Sequence, residues 1–154
     1  MTVQVYCKSA VDKLSFEATY AYMLTSHYGP FADVALFKKK VKTFTHADCG
    51  AYVNALHYLS TVPAVDEIEV IEIITDSGAV ADLIEFYKFQ KWCEEAVNKW
   101  RDEIKPRFKA LQRVEIKKVK IDKVVKAGDT HAFNLKKCAI AADDRLLKLK
   151  EILK

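Results

Sequence analysis

One acidic residue directly follows a strand pattern rich in Ile and Val. The stretch DEIEVIEIITDSGAV at positions 66–80 becomes nearly continuously apolar before Thr75, Asp76 and Ser77, and an apolar helical pattern follows. Such a run is typical of a central strand that is covered on both faces. In open α/β sheets the functional crevice lies at the carboxyl ends of the strands, which is where Asp76 falls. A carboxylate there either does chemistry, paired or bound to a cation, or forms the turn and caps the next helix.

Positive charge is concentrated in one stretch of the sequence. The chain of 154 residues has a formal net charge of +4. Positions 99 to 126 alone contain eleven Lys and Arg residues and only four acidic residues. A block of this kind is typical of a surface that binds a polyanion. It is equally typical of a solvated helix followed by an edge strand, and charge alone does not separate the two.

Composition predicts one globular domain that spans residues 1–154. A chain of this length, with 51% hydrophobic residues, can bury a sizeable core. The four cysteines, at positions 7, 49, 93 and 138, form no CxxC pair and have no zinc-site spacing. We therefore expect reduced thiols and a cytoplasmic location. The N-terminus has no signal-peptide pattern, and no apolar run is long enough to span a membrane.

The pattern of the chain predicts an α/β fold with the element order βββ-α-β-α(α)-β-α. Alternating or apolar runs predict strands at positions 3–7, 15–24, 33–44, 67–75 and 114–126. Helical spacing predicts helices from a cap at Thr45 to Pro63, at 78–90, at 91–112 with an interruption at Pro106, and at 134–153. Three antiparallel strands followed by two crossovers predict a mixed five-stranded sheet with helices on its faces.

This element order, together with the motif Thr75-Asp76-Ser77, resembles the type 1 ribonuclease H family over essentially the full chain. In that family, four carboxylates hold two divalent metal ions, Mg or Mn, which stabilise the attacking water and the leaving oxygen of a phosphodiester. The resemblance implies that Asp48 in HADCGAYVNAL, Asp76, and Asp144 in AADDRLLKL are catalytic metal ligands, with Asp143 as an alternative to Asp144. It also implies that His131, in the predicted loop KAGDTHAFN, is either the proton-moving histidine of the family or a surface histidine.

The first strand departs from the family pattern. Where the family has TDGS, this chain has Tyr6-Cys7-Lys8-Ser9, so that Cys7 takes the position of the metal-bridging Asp and Lys8 that of the Gly. A thiol is a poor ligand for Mg. An ammonium beside the remaining carboxylates could supply the counter-charge that a metal would otherwise provide, and we expect Lys8 to do so. Asp12 either replaces the missing ligand or belongs to the hairpin turn.

The basic block also has a counterpart in the family. In some members, the segment between the fourth and fifth strands forms a basic, Trp-containing protrusion that grips the duplex. Here Trp92 and Trp100 are eight residues apart and share one helix face, which favours core positions over stacking platforms. The resemblance assigns the nucleic-acid contacts to Lys99, Arg101, Lys105, Arg107 and Lys109.

Three functions are compatible with these features. The departures in the first strand favour a protein that binds a nucleic-acid duplex, either an RNA/DNA hybrid or double-stranded RNA, with impaired or lost nuclease activity. The first alternative is an active Mg- or Mn-dependent ribonuclease H that cleaves RNA in RNA/DNA hybrids. The second alternative is a protein-interaction module that binds a protein partner and no nucleic acid. No membrane partner is expected.

Overall fold

The computed structural model describes residues 1–80, 94–121 and 128–152 of the chain. It contains five strands: β1 (Thr2–Val11), β2 (Ala18–Ser26), β3 (Gly29–Leu36), β4 (Val70–Thr75) and β5 (Arg113–Lys118). They form one sheet in the order β3-β2-β1-β4-β5. β2 pairs antiparallel with β1 and β3, whereas β4 pairs parallel with β1 and β5. The predicted mixed five-stranded sheet is therefore confirmed.

The helices surround this sheet. They are α1 (Phe44–Leu59), α2 (Glu94–Asn98) and α3 (Thr130–Ile152). A π-helical segment (Lys99–Ile104) and a 3-10 turn (Lys105–Arg107) follow α2, and another 3-10 turn (Pro63–Glu67) precedes β4. A helix begins at residues 78–80, and the rest of the predicted helix 78–90 lies outside the described residues, as do the first residues of the predicted helix 91–112. None of the described helices combines the length and apolar character needed to cross a bilayer.

Two apolar layers lie on opposite faces of the sheet because neighbouring strand residues point to opposite sides. On one face, Val5, Ile71 and Ile73 pack with α1, Trp100 and Ile104. On the other face, residues of β1 and β4 pack against α3. This second layer contains Tyr6, Ile74, Leu135 and Cys138. The side to which a β1 side chain points therefore decides which helix it meets.

Two predicted boundaries differ from the structure around the third strand and the first helix. The third strand ends at Leu36 and not at position 44, because its partner β2 begins at Ala18 and offers no strand for pairing beyond that point. Phe37 instead packs against Tyr20, with ring centroids 4.9 Å apart. The first helix is capped by Thr43 and not by Thr45, since the Thr43 side chain accepts a hydrogen bond from the His46 amide.

Other boundaries differ near the end of the chain. The strand predicted at 114–126 ends at Lys118, and residues 122–127 lie outside the described part. The last helix begins at Thr130 because Asp129 caps it, with Asp129 Oδ1 accepting a hydrogen bond from the Ala132 amide at 3.1 Å. His131, predicted to lie in a loop, is therefore in the first turn of α3.

Candidate functional site at the carboxyl ends of β1 and β4

Asp76 follows β4 directly and forms an ion pair with Lys8 of β1. β1 and β4 are parallel, and their register pairs Tyr6 with Ile74, so Lys8 falls opposite Asp76 two residues later. Lys8 Nζ lies 3.0 Å from Asp76 Oδ2 and 3.3 Å from Oδ1. Both side chains are largely removed from solvent, with 20% and 30% of their surfaces exposed. The ammonium thus contacts both oxygens of the carboxylate in a half-buried setting, where water screens the pair less than at an open surface.

Asp48 lies beside this pair, on the first turns of α1. Ser9 Oγ donates a hydrogen bond to Asp48 Oδ1 at 2.7 Å. Burial raises the pKa of Asp48, and the charge of Asp76 raises it further, whereas the Ser9 hydrogen bond and the charge of Lys8 lower it. Lys8 therefore acts electrostatically on Asp48 while contacting Asp76. The structure brings together two of the predicted acids, and one cation serves both of them.

Cys7 is turned away from the ion pair. Its thiol is buried on the α1 face and lies 3.7 Å from the carbonyl oxygen of Ala51. Burial is the main cause that raises the pKa of Cys7 well above its usual range, so the thiol stays protonated and is a poor metal ligand. Although the sequence pattern assigns Cys7 to the position of the family's Asp, the first-strand side chain that contacts Asp76 is that of Lys8.

The remaining predicted acids lie in different settings. Asp143 and Asp144 are exposed on α3. Asp12 accepts a hydrogen bond from the Leu14 amide at 2.9 Å and pairs with Lys150 of α3 at 3.3 Å. It therefore belongs to the hairpin turn, one of the two roles considered for it.

His131 makes a specific contact that the sequence pattern did not indicate. Its Nδ1 lies 2.7 Å from the hydroxyl of Tyr6, a residue that is 1% exposed in the α3 layer. The two rings are tilted, with centroids 5.7 Å apart. Tyr6 is two residues before Lys8, so the alternation of side chains along β1 points both to the same face of the sheet. Its register with β4 pairs Tyr6 with Ile74. The sequence pattern did not identify Tyr6 as a site residue, because an aromatic residue in a strand is typical of the core.

Comparisons with solved structures identify the architecture. LC11-RNase H1, isolated from compost by a metagenomic approach, has a TM-score of 0.67 at 16% identity, covering 94% of this chain and 98% of that chain. RNase H1 from the halophilic archaeon Halobacterium salinarum has a TM-score of 0.58 at 16% identity, covering 94% and 99%. LC11-RNase H1 in complex with an RNA/DNA hybrid has a TM-score of 0.62 at 14% identity, covering 94% and 99%.

The chain has a ribonuclease H-like fold. No protein-family model matches the sequence, and no curated protein matches it either. The similarity lies in the three-dimensional structure, and at these identities it shows the fold alone.

The metal ions implied by a ribonuclease H-like fold do not fit the donor set that the described residues offer. Within residues 1–80, 94–121 and 128–152, no three His, Cys, Asp or Glu side chains lie close enough together to hold a metal ion. Mg²⁺ requires oxygen ligands at about 2.0–2.1 Å in near-octahedral geometry. Asp76 instead contacts the Lys8 ammonium, and Asp48 is bound to the Ser9 hydroxyl. The site contains a fixed cation of its own, the Lys8 ammonium.

The basic residues predicted to contact nucleic acid differ in how they are held. Arg101 donates hydrogen bonds to Asp102 in the same π-helical segment, at 2.9 Å, and to Asn98 at the end of α2, at 2.8 Å. Arg107 Nη1 donates a hydrogen bond to Ser60 Oγ at 3.2 Å. The side chain of Lys99 is half-buried, whereas Lys105 and Lys109 are exposed.

Of the two tryptophans, Trp100 is among the described residues. Trp100 is buried in the α1 layer and lies 6.3 Å from the Phe108 ring, measured between centroids. It is therefore a core residue, as its helical spacing favours. Trp92 lies outside the described residues.

We expect the substitution Asp48→Asn to stabilise the protein at neutral pH. Because folding raises the pKa of Asp48, its contribution to stability is fully present below the unfolded pKa of 3.8 and is lost as pH rises through the folded value. Asn keeps an oxygen that can accept the Ser9 hydrogen bond but carries no buried charge. Urea unfolding should show the variant more stable than wild type at pH 7, with the difference shrinking toward pH 3.5.

The exposed Asp66 provides the matched control for this experiment. The substitution Asp66→Asn should change stability little at either pH. An Asp48→Asn variant that is less stable than wild type at pH 7 would show that the ionised carboxylate is a net stabilising partner of Lys8.

Proposed function

We propose that this protein binds nucleic-acid duplexes, with the RNA/DNA hybrid as the principal candidate, and does not cleave them by the metal-dependent reaction of ribonuclease H. The observation that carries the proposal is the contact of Lys8 Nζ with both oxygens of Asp76. It concerns the acid of the Thr75-Asp76-Ser77 motif. The tethered Lys8 ammonium occupies the space beside this carboxylate that a divalent cation would need.

The first-strand exchange acts twice against metal binding. It removes an anionic ligand, which such chemistry needs because the metal ions stabilise both the attacking and the leaving oxygen. It also adds a cation that would repel an incoming metal ion. The ion pair of Lys8 and Asp76 is half-buried, and a metal ion could coordinate Asp76 only after this ion pair had been broken.

Support for duplex binding comes from two features. One structural neighbour was solved in complex with an RNA/DNA hybrid. In this chain, the segment that follows the π-helix exposes Lys105, Arg107 and Lys109 on the α1 side of the sheet. Exposed cations of this kind neutralise phosphates and release counterions, so that affinity should fall steeply with salt.

The decisive experiment measures binding and cleavage of the same labelled RNA/DNA hybrid, in Mg²⁺ and then in Mn²⁺. We expect binding that weakens with salt, no cleavage in either ion, and no effect of Mg²⁺ or Mn²⁺ on affinity beyond the weakening that any divalent counterion causes. Asp76→Asn is the internal control for cleavage. Cleavage that disappears in this variant would favour the alternative of an active nuclease, with Asp48, Asp76 and Asp144 as metal ligands and His131 as the proton carrier.

Absence of hybrid and double-stranded RNA binding at low salt would contradict the proposal in a different way. It would favour the protein-interaction module, in which the ion pair is structural. The cytoplasmic location expected from the cysteines stays a prediction in either case.

Reversal of charge at Lys105 and Lys109 should weaken hybrid binding. The double variant Lys105→Glu/Lys109→Glu removes two exposed cations from the proposed surface, and we expect a loss of about tenfold or more in affinity and a salt slope reduced by about two. The measurement is fluorescence anisotropy at several salt concentrations.

The matched control is Lys137→Glu/Lys148→Glu, which changes the net charge equally at exposed positions of α3, across the sheet. Its effect should be much smaller and should vanish as salt rises, because only the long-range field has changed. Equal losses in the two variants would indicate that net charge, and not the proposed surface, drives binding.

A further inference from the structure

Five aromatic rings lie side by side between β3, the edge strand of the sheet, and α1. The centroids of neighbouring rings are 4.9 to 6.2 Å apart. Strand register brings the middle rings together, because Leu24 and Tyr22 point to the α1 face and Phe31 is paired with Leu24. In spatial order, the aromatic row consists of Phe37, Tyr20, Tyr22, Phe31 and Tyr58.

One end of the aromatic row is open to solvent. Phe31 and Tyr58 stack there with their centroids 4.9 Å apart and their planes 11° from parallel. The stack covers one face of each ring, yet 42% of Phe31 and 37% of Tyr58 stay exposed. β3 has no further strand beside it among the described residues. Two exposed rings that are already aligned form a surface on which another flat ring can stack.

The other end of the row is positively charged. Phe37 is followed directly by Lys38, Lys39 and Lys40, and all three side chains are exposed. Within the part of the chain that the structure describes, no acid forms an ion pair with any of them. Six residues separate Phe31 from Phe37, so at about 3.3 Å per residue the row extends over about 20 Å.

The combination restricts the class of ligand. A partner that suits this surface offers flat rings over the exposed stack and negative charge over the lysines, along a length of about 20 Å. Single-stranded nucleic acid has both features, because its unpaired bases can turn toward a protein while its phosphates follow a basic surface. The bases of a duplex are paired and stacked inside it, and an acidic peptide offers charge without a row of rings.

We propose that the aromatic row, together with Lys38, Lys39 and Lys40, binds single-stranded nucleic acid by base stacking. The inference goes beyond the proposed function, which concerns a duplex and the cations of the segment after the π-helix. It does not depend on that function, since none of its residues belongs to the proposed duplex surface. Stacking on aromatic side chains tolerates any base, so little sequence preference is expected.

Asp33 allows a test in which binding becomes stronger. It is exposed on β3 and is paired with Tyr22, so its carboxylate lies on the same face as the aromatic row. Asn at this position keeps an oxygen for the Val34 amide, which bonds to Asp33 Oδ1 at 2.8 Å. Asp33→Asn should raise the affinity for a single strand about twofold at low salt, because a carboxylate there repels the phosphates.

The main experiment measures binding of a labelled strand of twelve thymidines by fluorescence anisotropy. In Phe31→Leu and in Tyr58→Leu, affinity should fall about fivefold or more, because Leu keeps apolar bulk but offers no ring for stacking. Tyr58→Phe should bind as wild type does. The matched control is Phe133→Leu on α3, whose ring is half exposed and has the Lys137 ammonium 4.6 Å from its centroid. It should leave affinity unchanged.

Two further measurements separate stacking from charge. A strand of the same length without bases carries the same charge, and it should bind weakly and be insensitive to Phe31→Leu. The variant Lys38→Gln/Lys40→Gln should lower the salt slope for the thymidine strand by about 1.4, since each phosphate contact to a single strand contributes about 0.7. Lys137→Gln/Lys148→Gln, at exposed positions of α3, is its control. Circular dichroism checks that every variant folds as wild type does.

The outcomes separate this inference from the proposed function. Equal binding of the strands with and without bases, or unchanged affinity in both Leu variants, overturns the inference. Self-association of wild type that Phe31→Leu abolishes also overturns it, because a second copy then covers the row. Binding of a blunt RNA/DNA hybrid should be the same in Phe31→Leu as in wild type. Hybrid binding without single-strand binding overturns this inference alone, and the reverse result overturns the proposed function alone.

Discussion

The substitution Lys8→Asp is expected to create a divalent-cation site that wild type lacks. It removes the ammonium beside Asp76 and puts a carboxylate in its place. Asp48, Asp76 and the new carboxylate would then share one half-buried space. Without a cation, these charges repel one another and the variant should be less stable than wild type. With a cation, they offer the oxygen ligands that Mg²⁺ and Mn²⁺ prefer.

Thermal unfolding with and without metal measures this effect. At a metal concentration one hundred times the Kd, binding should stabilise the folded variant by about 2.7 kcal/mol, since the metal binds the folded state alone. That free energy corresponds to an increase in Tm of about 5–10 °C. Wild type should show no shift. Calorimetric titration with Mn²⁺ should detect one or two sites in the variant and none in wild type.

The control for Lys8→Asp is Lys137→Asp, which makes the same change in net charge at an exposed position of α3. It should gain no metal-dependent stabilisation. Tight Mg²⁺ binding by wild type, lost in Asp76→Asn, would contradict the central interpretation, because it would mean that metal displaces Lys8 readily. A Lys8→Asp variant that is folded and binds no metal would show that Asp144 or another ligand is too distant to complete the site.

The substitution Trp100→Ala is expected to destabilise the fold strongly. Trp100 is 1% exposed and lies in the layer between the sheet and α1, where it packs near Phe108. Truncation of a buried aromatic to Ala leaves a cavity in addition to losing apolar burial, and costs about 3–5 kcal/mol. Urea unfolding at pH 7 should show this loss.

The aromatic Phe133 on α3 provides the comparison, since half of its surface is exposed. Phe133→Ala should cost less than about 1 kcal/mol. The result also separates two roles of Trp100. A Trp100→Ala variant with unchanged stability and reduced hybrid affinity would show that the indole stacks on nucleic acid and that its buried position is not maintained in solution.

The order of the elements and the place of Asp76 were predictable from the sequence. Apolar periodicity distinguishes strands from helices locally, and chain order with short connections leaves few sheet arrangements. An acid that directly follows a buried parallel strand must lie at the carboxyl edge of the sheet. Lys8 was identified because the first-strand motif replaces an anionic residue and a glycine with a thiol and a cation.

What the sequence left open depended on direction and register. The sequence pattern assigned the family's Asp position to Cys7 and the Gly position to Lys8, and in a strand a shift of one residue reverses the face of the sheet. The pairing of Tyr6 with Ile74 sets that register, and it places Lys8 against Asp76 while Cys7 enters the α1 layer. The periodicity of apolar residues within β1 does not specify which residue of β1 pairs with which residue of β4.

The sequence by itself determined the strand order along the chain, the acid after β4, and the cation in the first-strand motif, because each is local in the chain. Only the tertiary structure decided which side chains meet: Lys8 with Asp76, and Tyr6 with His131. Each of these groups joins residues from segments far apart in the sequence. Their contacts depend on helix docking and strand register, which arise from packing of the whole core and not from any single segment.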